Sequence, residues 1–169
     1  MGLKSKVGIR GEVVAELRGP DGKLKQRIVT HNLVTDEGDT YFAEMARTGA
    51  PISMGAADNM KCGSTDVAAA KNGAGSFIAV GTPPYIAGSA HAHDGWVVGA
   101  TADSIKAIHT WAAGEATATH RVVSIVDNVV NAGEADATNT IAYANYGADV
   151  VKLAADTLEV TWTITFLGA

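Results

Sequence analysis

Thr157-Leu158-Glu159-Val160-Thr161-Trp162-Thr163-Ile164-Thr165-Phe166, close to the end of a 169-residue chain, alternates without a miss. Leu158, Val160, Trp162, Ile164 and Phe166 share one parity, and Glu159, Thr161, Thr163 and Thr165 share the other. A period of two sends successive side chains to opposite faces of a strand. Val, Ile, Thr, Trp and Phe are also the residues that fit a pleated, half-buried surface. The stretch therefore predicts a strand with one face in a core and the other toward solvent or a partner. It places the end of the chain inside its sheet.

The same alternation recurs at the other end. Ile9, Gly11, Val13, Ala15 and Leu17 interleave with Arg10, Glu12, Val14, Glu16 and Arg18, and Gly19-Pro20-Asp21-Gly22 supplies a turn. Pro presets φ there and Gly accepts the left-handed position. Gly8 to Val34 thus reads as a hairpin whose return strand is exposed over its first half. One helix follows: Asp36 is expected to cap it, Glu37 and Asp39 suit its first turn, and Gly49 stops it. Tyr41, Phe42, Met45 and Ala46 give it an apolar stripe to lay on a sheet.

Short strands are expected at Met60 to Gly63, Phe77 to Val80, Trp96 to Val98, Ile105 to Trp111, Thr119 to Val130 and Ile141 to Tyr146. Loops are expected at residues 48–60, 64–75, 85–95 and 131–139. The sum, about eight strands and one helix, predicts an all-β domain over residues 1–169. Its architecture is a β-sandwich or jelly-roll-like fold with one short helix after an N-terminal hairpin. Residues 1–7 form a basic N-terminal arm.

Composition narrows the function. The charged fraction is 18% and Ala and Gly are abundant, as expected of a protein that meets neighbours over much of its surface. A net charge of −5 argues against a nucleic-acid binder. Residues 1–35 nevertheless hold seven basic groups against three acids, a balance of +4 that leaves −9 for the rest. That asymmetry suits an acidic partner surface, or else a solvated hairpin of mixed charge. The lone Cys62 permits no internal disulfide and reads as a buried small hydrophobe. With no signal-like segment and no run of about 20 apolar residues, the chain is expected to be made in a cytoplasm and to bind no membrane.

Chemistry is sparse. His91-Ala92-His93-Asp94 has ligand character, because residues two apart on an extended segment share a face and could grip one metal ion. No third ligand is identifiable, and the flanks read as a surface loop, which is the reading adopted. No Gly-x-Ser-x-Gly elbow occurs, and Gly73-Ala74-Gly75 leads into neither a helix nor a Lys, so neither acyl transfer nor phosphate binding is indicated. Trp96 is the tryptophan expected to be exposed, and Trp162 the one expected in the core. No active site and no cofactor are expected.

Three segments carry a resemblance. Thr30-His31-Asn32-Leu33-Val34-Thr35-Asp36-Glu37-Gly38 leads into the helix, Ala113-Gly114-Glu115-Ala116-Thr117-Ala118 precedes a strand, and Ala154-Ala155-Asp156-Thr157-Leu158 opens the final one. Their order resembles small structural proteins of tailed bacteriophage virions, from about residue 28 to the end. They are turn-and-strand patterns and none is catalytic. Asn128 to Tyr146 departs from the pattern, being longer and more polar.

The resemblance implies a capsid decoration (cement) protein on the capsid surface of the virion. It would bind between subunits of the major capsid protein as a homo-oligomer, a trimer, with Lys4, Lys6 and Arg10 reaching an acidic neighbour. The alternative it implies is a tail, neck or fibre module that presents Trp96 and the histidine loop to a host glycan. A cellular metal protein, the third class, would need His91 and His93 to hold an ion.

Overall fold

The structure, a computed structural model, describes residues 8–49, 56–66, 71, 86, 89–127 and 140–167. The expected strand at residues 77–80, the polar loop at 131–139, and Lys4 and Lys6 lie outside the described residues. Among the described residues ten strands and one helix follow in the order β1 (Gly8–Arg18), β2 (Leu24–His31), β3 (Leu33–Val34), α1 (Asp36–Thr48), β4 (Asn59–Gly63), β5 (His91–Ala92), β6 (Val97–Val98), β7 (Ser104–Trp111), β8 (Ala118–Val126), β9 (Thr140–Lys152) and β10 (Thr157–Leu167). They make two antiparallel five-stranded sheets, β2-β1-β10-β7-β6 and β3-β9-β8-β4-β5. The fold is an all-β sandwich with one short helix.

β10 sits at the centre of the first sheet, paired with β1 on one side and β7 on the other. Its alternation becomes burial: Leu158, Val160, Trp162 and Ile164 are fully buried. Trp162 lies between Val13 and Ala107, and the small Ala107 leaves room for the indole. Met60, Cys62, Val123, Ile125, Ala144 and Val150 face them from the second sheet, in one continuous core cluster.

The two sheets differ on their outer sides. In the second sheet the residues opposite the core, including Val122, Ser124, Lys61 and Tyr143, are buried as well. A strand buried on both faces reads as a near-continuous apolar run, which accounts for Val-Val-Ser-Ile-Val in β8. The outer side of the first sheet is only partly covered.

The Gly19–Gly22 turn forms as read, with Gly22 at φ 75° and its N–H donating to Gly19 O. The hairpin, however, ends at His31. Asn32 still donates to Gly11 O, and then Leu33 and Val34 cross to pair with β9 in the other sheet.

The helix is capped by Thr35 and not by Asp36. Thr35 Oγ1 accepts from Gly38 N at 2.9 Å and donates to Thr140 O at 2.6 Å, so its hydroxyl ties the cap to β9. Gly49 ends the helix at φ 74°. The expected four-residue stripe is only half used. Tyr41 is buried and Phe42 partly so, but Met45 and Ala46 are exposed. The helix packs through its first two turns, where Tyr41, Phe42 and Phe166 make successive edge-to-face contacts. Gly38 permits this approach, since a Cβ there would lie 2.1 Å from Ile141 O.

β9 runs six residues beyond the expected Tyr146. Gly147, at φ 70°, forms a bulge that looks like a turn in sequence.

Candidate functional site

The histidine motif divides into separate roles. His93 is buried; its Nε2 donates to Ala57 O at 2.8 Å and its Nδ1 accepts from Gly95 N at 3.0 Å. Both ring nitrogens are thus consumed by backbone. His91, on β5, stacks on His109 of β7, with ring centroids 5.0 Å apart and planes 14° apart. His91 and His93 thus make different contacts, and the segment read as a surface loop is buried at His93. Among the described residues no three His, Cys, Asp or Glu side chains gather as metal ligands do.

Asp94 does something the sequence did not suggest. Its N–H donates to Ile108 O at 2.9 Å, and its Oδ1 accepts from Ile108 N at 2.6 Å. One residue thereby supplies both bonds a neighbouring strand would make, on the edge of β7 that β6 leaves unpaired. Trp96, expected to be exposed, is half-buried, packed against His93 with its indole N–H donating to Ala57 O. It offers no open sugar platform.

Sequence reading missed two inward-facing histidines, His120 fully buried and His109 half-buried. His109 and His120 share the inward parity of their strands, opposite Val160 and Val150, and that parity was the available signal. Burial lowers His109 first, and the neighbouring His91 lowers it further. His120 donates from Nε2 to Ala116 O at 2.8 Å, its Nδ1 is buried with no partner, and burial lowers its pKa to about 4. Cys62 is fully buried and free, and burial pushes its thiol well up, so it is no nucleophile.

The basic hairpin is largely neutralised within the chain. Arg18 and Arg27 both reach Glu16, at 2.5 and 3.3 Å, Lys23 reaches Asp21 at 3.1 Å, and Lys25 reaches Asp156 at 2.7 Å. Arg10 belongs to β1 and not to an arm. It is exposed on the outer side of the first sheet, with Nη2 3.2 Å from His31 Nε2. Of the three expected partner-binding residues, Arg10 alone is placed.

No known protein family, curated protein or solved structure matches the chain.

What remains is the outer side of the first sheet. Pairing aligns Val29, Val14, Thr161 and Ile108 in one row across four strands. His31, Glu12, Thr163 and Lys106 run along one side of that row, and Arg27, Glu16, Glu159 and Thr110 along the other. Val29 is 48% exposed, at the open edge of the row. Val29, Val14 and Ile108 thus form an apolar strip with charged and hydroxyl side chains on both sides.

Proposed function

We propose that the chain is a non-enzymatic structural protein of a tailed-bacteriophage virion, a capsid decoration (cement) protein that binds between major capsid protein subunits as a homo-oligomer. The observation that carries this reading is the row Val29–Val14–Thr161–Ile108 with its charged borders, on a broad sheet face that the described residues leave only partly covered. The side chains best suited to chemistry support it too, since His93, His120 and Cys62 are all spent on holding the sandwich together. A decoration protein stabilises by mass action: it binds the assembled shell and not the dispersed subunits, so each bound copy resists disassembly. The three segments that resemble phage virion proteins supply the choice of partner.

The test is a cryo-EM reconstruction of the purified particle, together with add-back of protein to particles made without it. Hundreds of copies on the shell, with the outer face of the first sheet against the capsid, are expected. Val14→Asp with Val29→Asp should abolish add-back while leaving the circular dichroism spectrum unchanged. A few copies at the tail would establish the tail, neck or fibre role instead. Absence from the particle would end both.

A further inference from the structure

The β7–β8 turn, residues 112–117, closes one end of the sandwich, and three bonds fasten it there. Gly114 N–H donates to Ala154 O at 2.7 Å, Lys152 Nζ to Ala112 O at 2.8 Å, and His120 Nε2 to Ala116 O at 2.8 Å. Ala154 belongs to the turn between β9 and β10. Both turns carry the chain from one sheet to the other, and the Gly114 bond joins them.

The fastened turn is strained. Ala116 holds φ 42°, the one positive φ of a non-glycine among the described residues, and a Cβ crowds the following carbonyl in that conformation. Such a conformation persists only where its surroundings enforce it. Here the bond from His120 and the burial of Ala116 in the core do so.

His120 is fully buried, and its Nδ1 has no hydrogen-bond partner among the described residues. Around the ring stand the Ala116 carbonyl, Val150 and Lys152 of β9, and Trp111 of β7, whose centroid lies 6.4 Å away and which also contacts His109. Lys152 is the charged group that acts on the imidazole, and it acts against a second positive charge. The carboxylates of Asp156 and Glu115 act on Lys152 instead. A proton added at Nδ1 would therefore bury an N–H without an acceptor and a charge without a counter-ion, beside an ammonium. The ring escapes by moving to water, which breaks its bond to Ala116 O. Breaking that bond also removes what enforces the strained φ, so the turn is biased to open with it.

We propose that residues 112–117 are a proton-operated latch, which protonation of His120 releases from the end of the sandwich while both sheets stay paired. The sheets are held by pairings the turn does not make, with β10 between β1 and β7 and β8 between β4 and β9. Release frees the Lys152 ammonium from Ala112 O, so mild acid turns a closed end into one that presents two positive charges. The latch and the virion reading stand independently of each other.

Hydrogen exchange of the full chain, followed by NMR from pH 7 to 5 at several urea concentrations below the unfolding transition, tests the latch. That range stays above the ordinary carboxylate pKa. The Gly114 amide is the reporter, because its bond crosses from one turn to the other. The His120 ring titrates at about 6.5 when open to water and at about 4 when latched. Protection of Gly114, corrected for intrinsic exchange, should therefore fall about 20-fold between pH 7 and 5. Its opening should depend little on urea, since little surface is exposed, whereas amides in the middle of β10 should open with the steep urea dependence of whole-chain unfolding. His120→Gln, which does not titrate, should abolish the pH effect. Unchanged Gly114 protection, opening as urea-dependent as that of β10, or a fall that survives in His120→Gln overturns the proposal. The first two results are read from the wild-type chain and stand whether or not the variant folds.

Discussion

Acid should loosen this sandwich through His120 before it protonates most carboxylates. The ring is fully buried, and at neutral pH its Nε2–H is bound to Ala116 O while its bare Nδ1 faces the interior. In the unfolded chain a histidine titrates near 6.5, whereas burial lowers His120 to about 4 in the fold. The unfolded state therefore binds the extra proton first. The contribution is complete above pH 6.5, is lost as pH falls from 6.5 toward about 4, and levels off below that. The difference corresponds to about 3 kcal/mol. His109, also lowered, adds in the same direction. Urea unfolding at intervals from pH 7 to 4 measures the slope. His120→Gln keeps a donor for Ala116 O, so it should flatten the profile by about 3 kcal/mol while remaining folded at pH 7. An equal slope in wild type and variant, or an NMR titration of the His120 ring centred near 6.5, would refute the reasoning.

Trp162→Ala should cost ~3–5 kcal/mol in urea unfolding, because it removes the largest side chain at the centre of the core. Gly38→Ala should cost ~3 kcal/mol or more, since the new methyl meets Ile141 O and Val34 at once; a melting temperature close to wild type would show that α1 can shift away. Asp94→Ala should expose the β7 edge, raising thioflavin binding and light scattering at high concentration with little change in the unfolding midpoint. His93→Ala should lower stability by ~2 kcal/mol, and zinc should shift the melting temperature of neither protein.

Alternation was the dependable signal. β10 and β1 obey it, and their burial follows the printed sequence almost residue by residue. Reading failed where two chemically equivalent solutions competed. Thr35 and Asp36 are both good caps, and only the contact with Thr140 O, some hundred residues away, selects Thr35. Gly147-Ala148-Asp149 has turn composition but serves as a bulge, because Val150 and Lys152 return to the interior on the far side. Met45 and Ala46 carry the right periodicity for a helix laid flat, yet α1 docks by its first two turns. The histidine loop misled for a different reason: His93, expected in a surface loop, is buried with both ring nitrogens bonded to backbone. The outer row of the first sheet was invisible, since Val29, Val14, Thr161 and Ile108 meet only through three separate strand pairings.

The uneven covering of the two sheets separates stability from recognition. Val122 and Ser124 have protein on both sides of their strand, so any change there disturbs two layers of packing at once. Thr161, Thr163 and Thr165 instead sit above a core they do not enter, and substitutions among them are cheap to the fold. Descendants of such a molecule are free to rewrite the outer wall of one sheet, while the opposite wall keeps the architecture constant.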